Sequence, residues 1–221
     1  MDFPSNISNE LAEEVGWHIG DGSMNFYKNS GKLKGIYQLR GHIEDDKEHY
    51  ETRIRPLFEK LFGIKLSIRD MPSTRVVGFQ IWNDDLVNFK KKLGLPLGFK
   101  YNVKIPSNFL KNIELRKAVI RGIFDTDGGI YLQKKYGKLY PRLSITTISL
   151  ELSEQLLKIF DEIGLRATRY SQLYERGFNR KRAYIVGIRG VEMFHKFMKE
   201  ISPKNPKHVK KYKVFLNSQN L

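Results

Sequence analysis

The sequence has 221 residues, contains no cysteine and carries a formal net charge of +15, from 39 Lys and Arg against 24 Asp and Glu. The lack of cysteine excludes disulfides, thiolate zinc sites and cysteine nucleophiles. The excess of basic residues is typical of a polyanion-binding protein, so nucleic acid is the leading partner; an anionic membrane surface or a solvated basic surface is the alternative. No apolar run approaches the ~18 residues that span a bilayer, and no signal peptide is recognisable, so we expect a cytoplasmic protein with no membrane partner.

Hydrophobic periodicity predicts alternating helices and strands along the chain. The first part reads as a helix at 11–22, a strand at 35–43, a helix at 45–63 with a kink at Pro56, strands at 64–70 and 75–82, and a helix at 83–94. The second part reads as a helix at 114–128, a strand at 140–148, a helix at 149–164, strands at 165–172 and 181–189, and a helix at 190–201. The strands have one apolar and one polar face, which indicates helices on one side of each sheet.

The order of elements repeats because the chain contains two similar motifs. "LAEEVGWHIGDG" aligns with "ELRKAVIRGIFDTDG" when Asp21 is placed on Asp127, 106 positions later. An aspartate at a helix C-terminus is unfavourable, since the unpaired carbonyls there carry partial negative charge. We therefore predict two repeats, residues 1–98 and 112–221, joined by a linker at 99–111, with a special use for the two acids.

Small residues form a stripe at positions i, i+4 and i+8 of each motif. Glycine inside a helix costs roughly 0.5–1 kcal/mol relative to alanine, so its use in both copies favours a close contact between helix backbones. Packing through these stripes about a pseudo-twofold axis would bring Asp21 and Asp127 side by side. The stripes are Ala12, Gly16 and Gly20 in the first motif and Ala118, Gly122 and Thr126 in the second.

The motifs resemble the signatures of single-chain, two-motif LAGLIDADG homing endonucleases. "LAEEVGWHIGDG" is similar to the first signature and "AVIRGIFDTDG" to the second, and the run "GH…DDKEHY…PLFEKLFGI" resembles archaeal members. The departures from the idealised signature lie off the small-residue stripe, at Glu13, Glu14, Trp17 and His18.

This resemblance covers nearly the whole chain and implies both a fold and an activity. The implied fold is α+β (mixed α/β): a monomer of two pseudo-twofold-related halves, with the motif helices at their interface and an antiparallel β-saddle. The implied activity is magnesium-dependent hydrolysis of both strands of DNA at a long recognition site.

Carboxylates beside free helix-terminal carbonyls form an all-oxygen pocket of the kind that hard dications prefer. We predict that Asp21 and Asp127, with the carbonyls of Gly20 and Thr126, hold Mg²⁺, which Mn²⁺ or Ca²⁺ could replace. Each aspartate would then serve one strand. A plain Asx turn at "DTDGG" is the alternative, whereas an EF-hand loop would need Gly and Glu at positions where this run has neither.

The resemblance also implies a lysine in the active site after the third helix of each half. Lys100 or Lys104 fits this role in the first half and Lys207 or Lys210 in the second, and we select Lys100 and Lys207 as catalytic. His42 ends a strand where the family places polar residues near the scissile phosphates.

Residues on the polar strand faces are candidates for DNA binding. Arg and Gln make bidentate contacts with guanine and adenine edges, and Ser and Thr bond bases or phosphates. The basic stretch 166–189 is the candidate for a long hairpin that grips the DNA backbone. The predicted DNA-binding residues are Gln38, Arg40, His42, Lys65, Ser67, Arg69, Gln80, Arg142, Ser144, Thr146, Arg166, Thr168, Arg180, Arg182 and Arg189.

These features predict a site-specific double-strand DNA endonuclease. The alternative is an intron RNA maturase, with intron RNA as its partner, or a non-cleaving DNA-binding protein of the same fold. The endonuclease domain of an intein is disfavoured, because no splicing segment with a nucleophilic cysteine flanks the repeats.

Overall fold

A computed structural model describes residues 1–29, 31–176 and 179–219. The first half comprises α1 (Asn9–Gly20), β1 (Gly22–Asn29), β2 (Lys32–His42), α2 (Ile43–His49), a π-helical turn (Tyr50–Ile54), α3 (Arg55–Phe62), β3 (Arg69–Met71), β4 (Val76–Trp82) and α4 (Asp84–Lys92). The second half comprises α5 (Ile113–Asp127), β5 (Gly128–Lys135), β6 (Lys138–Thr147), α6 (Leu150–Glu162), β7 (Ala167–Arg176), β8 (Asn179–Arg189), α7 (Val191–Glu200) and α8 (Pro206–Gln219).

Each half contains a four-stranded antiparallel sheet with the same topology. The strand order is β1-β2-β4-β3 in the first sheet and β5-β6-β8-β7 in the second. Tyr37 and Leu39 on β2, and Leu143 and Ile145 on β6, point into the core, whereas the alternate positions face outward. The predicted fold class, with two similar α+β halves and helices on one side of each sheet, is confirmed.

The helices α1 and α5 pack against each other through the small-residue stripes. A Cβ atom placed on Gly16 would lie 2.2 Å from the carbonyl oxygen of Val119, and one on Gly122 would lie 2.1 Å from that of Glu13. Real Cβ atoms do not approach other atoms so closely, so only glycine allows this contact between the backbones. The helix packing predicted from the stripes is confirmed.

Buried charges add specificity to this interface. Glu13 is 1% exposed, and its carboxylate binds Arg53 of the first half at 2.7 and 2.8 Å. Arg121 of α5 reaches the same carboxylate at 3.3 Å and donates to the carbonyl of Ile201 at 2.8 Å. One acid on α1 therefore joins the two halves.

The helix expected at 45–63 is divided by the π-helical turn Tyr50–Ile54. The amide of Arg55 bonds to the carbonyl of Tyr50, five residues earlier. Pro56, which has no amide hydrogen, stands in the first turn of α3, where none is needed. The predicted kink is therefore a wide turn followed by a new helix.

Four elements differ from the sequence-based expectations. The strands β1 and β5 were not predicted, because "GSMNFYKN" and "GGIYLQKK" begin with glycine directly after a helix; each is held by eight register pairs to its neighbour. The strand expected at 64–70 begins only at Arg69 and runs to Met71, the three residues that pair with β4. The helix α8 was missed, although Asn205 and Pro206 form a typical helix start.

No helix within the described parts of the chain has the length and apolar character needed to cross a membrane.

Candidate active site and nucleic-acid interface

Asp21 and Asp127 lie next to each other where α1 and α5 end. Asp21 is the C-cap of α1, and Asp127 is the last residue of α5. A Cβ atom on Gly20 would lie 1.9 Å from Thr126 Oγ1 and 3.5 Å from the Asp127 carboxyl carbon. The helix contact therefore continues to the last turn, and it brings the two acids together from different halves of the chain.

A third carboxylate, that of Asp46 in α2, lies beside Asp21. A Cβ atom on Gly41 would be 3.0 Å from Asp21 Oδ2 and 2.9 Å from Asp46 Oδ2. Asp46 is only 4% exposed. Sequence reasoning missed this residue because an acid in the first turn of a helix is common on the surface; the only signal was its position just after the strand that ends near α1.

The crowding of these acids changes their pKa values. Burial raises the pKa of Asp21 to about 8, and the charges of Asp127 and Asp46 add to the effect. The hydroxyl of Tyr50 donates to Asp21 Oδ2 at 3.1 Å and opposes the shift, as does Lys100. A cation at this position would remove the repulsion between the carboxylates.

Asp127 is exposed at the surface, yet its pKa is also raised. The surrounding protein reduces the hydration of its carboxylate, and Asp46 adds like charge, while Lys100 and Lys207 act in the opposite direction. Its neighbour Asp125 is buried and faces the other way, accepting the amides of Lys204 and Asn205 at 2.9–3.0 Å. Burial raises the pKa of Asp125 to about 7. Asp125 thus anchors the segment before α8.

Lys100 neutralises the C-terminus of α1. Its ammonium donates to the carbonyl of Ile19 at 2.9 Å and to that of Gly20. Burial lowers the pKa of Lys100, although Asp127 and Asp21 favour its charged form. The Gly20 carbonyl, predicted as a metal ligand, therefore already accepts a hydrogen bond from a cation. Thr126 uses its hydroxyl to bond the carbonyl of Gly122 at 2.9 Å.

Lys207 reaches the acids from the second half. Its ammonium donates to Asp46 Oδ1 at 2.7 Å. The two lysines that were not selected form exposed ion pairs instead, Lys104 with Glu151 and Lys210 with Glu48. The structure thus brings Lys100 and Lys207 to the aspartates and leaves Lys104 and Lys210 at the surface.

The donor set fits a magnesium ion that is completed by its substrate. Within residues 1–29, 31–176 and 179–219, no group of three or more His, Cys, Asp or Glu side chains is placed to hold a metal ion without other ligands. Mg²⁺ normally takes one or two protein carboxylates and fills its remaining positions with water and phosphate oxygens. Two adjacent aspartates of opposite halves, crowded by a third acid, meet that requirement.

The outward faces of the two sheets carry most of the predicted DNA-binding side chains in cross-strand rows. In the first sheet Gln38 pairs with Gln80. Arg40 and Arg69 both pair with Gly78 of β4, from its two neighbouring strands. Arg40 donates to Gln80 at 3.3 Å. Lys65 and Ser67 are exposed in the segment that leads into β3, and His42 ends β2, half-exposed.

The second sheet has an equivalent outward face. Arg142 lies opposite Arg189, and Ser144 and Thr168 flank Gly187. Thr146 is exposed on the same face. Two arginines directly opposite each other repel unless an anion lies between them. This row is therefore suited to a phosphate or to the acceptor groups of a base.

Three predicted residues of this set lie away from these cross-strand rows or outside the described residues. Arg166 precedes β7 rather than lying on it, and its guanidinium pairs with Glu192 of α7 at 3.2 Å. Arg182 projects from the face opposite to Arg189, because side chains alternate along a strand and the two residues are an odd number of positions apart. The guanidinium of Arg182 donates to the Ser171 hydroxyl at 3.3 Å. The DNA-binding role of these two arginines stays a prediction. The side chain of Arg180 lies outside the described residues.

Comparison with known proteins agrees with this architecture. Residues 114–202 match the family model of the LAGLIDADG-like domain. The homing endonuclease I-DmoI, in complex with DNA and Ca, superposes with a TM-score of 0.63 at 18% identity, covering 94% of this chain and 99% of that one. The chain has the fold of the LAGLIDADG homing endonucleases. The LAGLIDADG meganuclease I-AabMI, bound to uncleaved DNA, gives a TM-score of 0.58 at 11% identity, over 97% of this chain and 91% of that one.

A curated relative places a similar stretch inside a larger protein. The Replication factor C small subunit of Methanocaldococcus jannaschii is 26% identical over 216 residues, which are 98% of this chain but 11% of that protein. The chain thus spans about a tenth of the length of that relative. The stretch that is similar to this chain therefore lies within a much longer polypeptide.

Proposed function

We propose that this protein is a site-specific double-strand DNA endonuclease that uses Mg²⁺ held by Asp21 and Asp127, at a site that Mn²⁺ or Ca²⁺ can also occupy. The observation that carries the proposal is the convergence of two acid-ended helices from different halves of the chain. Structures of I-DmoI contain DNA with Ca or with Mn, which supports a divalent cation on this fold.

The residues of the site have distinct roles. Asp21 and Asp127 hold the cation, with the carbonyls of Gly20 and Thr126 beside them. When bound, Mg²⁺ stabilises charge on the scissile phosphate and lowers the pKa of the attacking water. Lys100 and Lys207 place positive charge next to the acids, where a phosphate oxygen develops charge during hydrolysis.

The two sheet faces would hold the duplex. The net charge of +15 supplies the sequence-independent part of the affinity, and the outward Arg and Gln side chains contact phosphates and base edges. We assign residues 1–98 and 112–221 to the two repeats and 99–111 to the linker, and we propose that a monomer covers a long site.

A cleavage assay tests the proposal. Purified protein is incubated with Mg²⁺ and with DNA that joins the two sequences flanking its gene, the insertion removed. We expect a defined double-strand cut, and a loss of at least about 100-fold in rate for Asp21→Asn and for Asp127→Asn with binding retained. Asp85→Asn, an exposed acid in the first turn of α4, is the matched control and should cut normally.

Other results would point elsewhere. Unchanged cutting by both aspartate variants would overturn the metal site. Metal-independent binding of the folded intron RNA without DNA cutting would favour the maturase, and specific DNA binding without cutting would favour a non-cleaving protein.

A further inference from the structure

Asp46 gives the first half an acid that the second half lacks. It is the fourth residue of α2, and the fourth residue of α6 is Ser153. The 106-residue offset between the motifs places Asp46 on Leu152 instead. By either alignment the second half has no carboxylate at this position.

The carboxylate of Asp46 is fully engaged, and its partners come from both halves. Oδ2 accepts the amide of His42 at 2.9 Å, at the start of α2. Oδ1 accepts the ammonium of Lys207 at 2.7 Å and the side-chain amide of Asn205 at 2.8 Å. A buried acid with three charged or polar donors is held firmly, because leaving any of them unpaired is costly.

Asn205 extends these contacts to the motif helix α5. The side-chain nitrogen of Asn205 also donates to the main-chain carbonyl of Asp125 at 2.7 Å. Its side-chain oxygen accepts the main-chain amide of Lys207 at 3.1 Å, and this hydrogen bond caps the start of α8. Asp46 therefore fixes the beginning of α8 against the end of α5, two residues from Asp127.

The two active-site lysines are anchored by different means. Lys100 is held by main-chain carbonyls at the end of α1. Lys207 is held by a side chain, that of Asp46, which also lies beside Asp21 across Gly41. Removal of one carboxylate would therefore release one lysine and leave the other in place.

We propose that Asp46 is a positioning residue that sets Lys207 and the start of α8 beside Asp21, and so makes the two strand cuts depend on different residues. The inference rests on the proposed endonuclease function. It requires that Asp46 acts through Lys207. It also requires that a change of Asp46 slows the cleavage of one DNA strand, the one whose cut depends on Lys207, more than that of the other.

Strand-resolved cleavage tests the proposal. The cleavage rate of each DNA strand is measured with a duplex labelled on that strand. Nicked and linear products are followed with a plasmid that carries the target. Asp46→Asn should change the ratio of the two rates by at least about tenfold and cause nicked DNA to accumulate, while the binding constant changes little. Lys207→Met should produce the same bias, and the double variant should add little to either single change, because the two act as a unit.

Matched variants and a second measurement keep the outcomes distinct. Glu48→Gln removes an exposed acid from the same helix, whose partner Lys210 is also on α8, and should leave the strand ratio unchanged. Amide hydrogen exchange at His208 and Val209 should become faster in Asp46→Asn whether or not DNA is cut, because their amides bond to Asn205.

Equal slowing of both strands by Asp46→Asn would overturn the proposal, as would an unchanged exchange rate at the start of α8. If the unmodified protein cuts no DNA, the endonuclease function fails, and the exchange measurement still decides whether Asp46 positions α8.

Discussion

Gly16 and Gly122 face each other across the contact between α1 and α5: a Cβ atom on either would lie 2.8 Å from the Cα of the other. The relationship is reciprocal, as a pseudo-twofold axis between the helices requires. It explains why two glycines are retained inside helices, where alanine would be favoured by roughly 0.5–1 kcal/mol.

We expect Gly16→Ala and Gly122→Ala to destabilise the protein. Overpacking of a tight contact costs about 1–3 kcal/mol, which exceeds the gain in helix propensity. Urea denaturation at neutral pH measures the difference. Gly187→Ala is the control, because its Cβ would be 3.7 Å from the nearest atom, the carbonyl oxygen of Leu143. A Gly16→Ala variant as stable as the parent would contradict the close helix contact.

We expect Lys100→Met to reduce the cleavage rate by about 10- to 1,000-fold, as loss of one group that stabilises transition-state charge typically does. It should also lower stability by about 0.3–2 kcal/mol, since Lys100 neutralises the C-terminus of α1. Lys104→Met is the control, because that lysine forms an exposed ion pair, a type worth about 0–1 kcal/mol. Single-turnover kinetics measures the cleavage rates of both variants. Equal rates for Lys100→Met and Lys104→Met would exclude Lys100 from the site.

Arg189 on β8 and Arg166 just before β7 allow a test of the DNA interface. Arg189→Ala should reduce the slope of log affinity against log salt by about one unit, because one phosphate contact is lost. Arg166→Ala should have a much smaller effect, since that guanidinium pairs with Glu192. Fluorescence anisotropy at several KCl concentrations gives both slopes. A larger effect for Arg166 would place the duplex on a different surface.

Stability below neutral pH should depend on His208. Its Nε2 donates to the carbonyl of Phe124 at 2.9 Å, and burial, together with Lys207, lowers its pKa to about 3. Between about pH 6.5 and 3 the unfolded chain therefore binds a proton that the folded chain does not, so this histidine's contribution to stability falls as the pH falls. Asp21 and Asp125 have raised pKa values and act in the opposite direction.

Comparison with His208→Gln isolates this effect, because the aspartates are common to both proteins. The stability of the parent relative to the variant should fall by about 1.6 kcal/mol from pH 6.5 to pH 5, because the histidine of the unfolded chain is already half protonated at pH 6.5. Urea denaturation at the two pH values measures it. A constant difference would show that His208 is not held in its neutral form.

The motif helices were predictable because their signals are local. The stripe spacing, the two misplaced aspartates and the 106-residue offset all lie within short stretches, and duplication made each one more reliable. Lys100 and Lys207 followed from the resemblance, but nothing local distinguished them from Lys104 and Lys210. Their selection depends on contacts such as that between Lys207 and Asp46, residues that are 161 positions apart.

The errors have similar physical causes. Asp46 and Asn205 look like ordinary helix-start residues, and their pairing appears only once α8 is packed against α2. Arg182 is a predicted DNA contact because its stretch is strongly basic, but charge does not determine which face of a strand a side chain occupies, and Arg182 lies on the face opposite to Arg189. The strands β1 and β5 depend on pairing with their neighbours rather than on their own composition.

The two sheets share their strand order but not their outward side chains. Gln38 faces Gln80 in the first sheet, whereas the same row of the second holds Ser144 and Gly187. Two copies of a single half could only present identical surfaces, which would match a palindromic duplex. Joining two divergent halves in one polypeptide removes that symmetry, so under the proposed function each half can match its own part of the duplex.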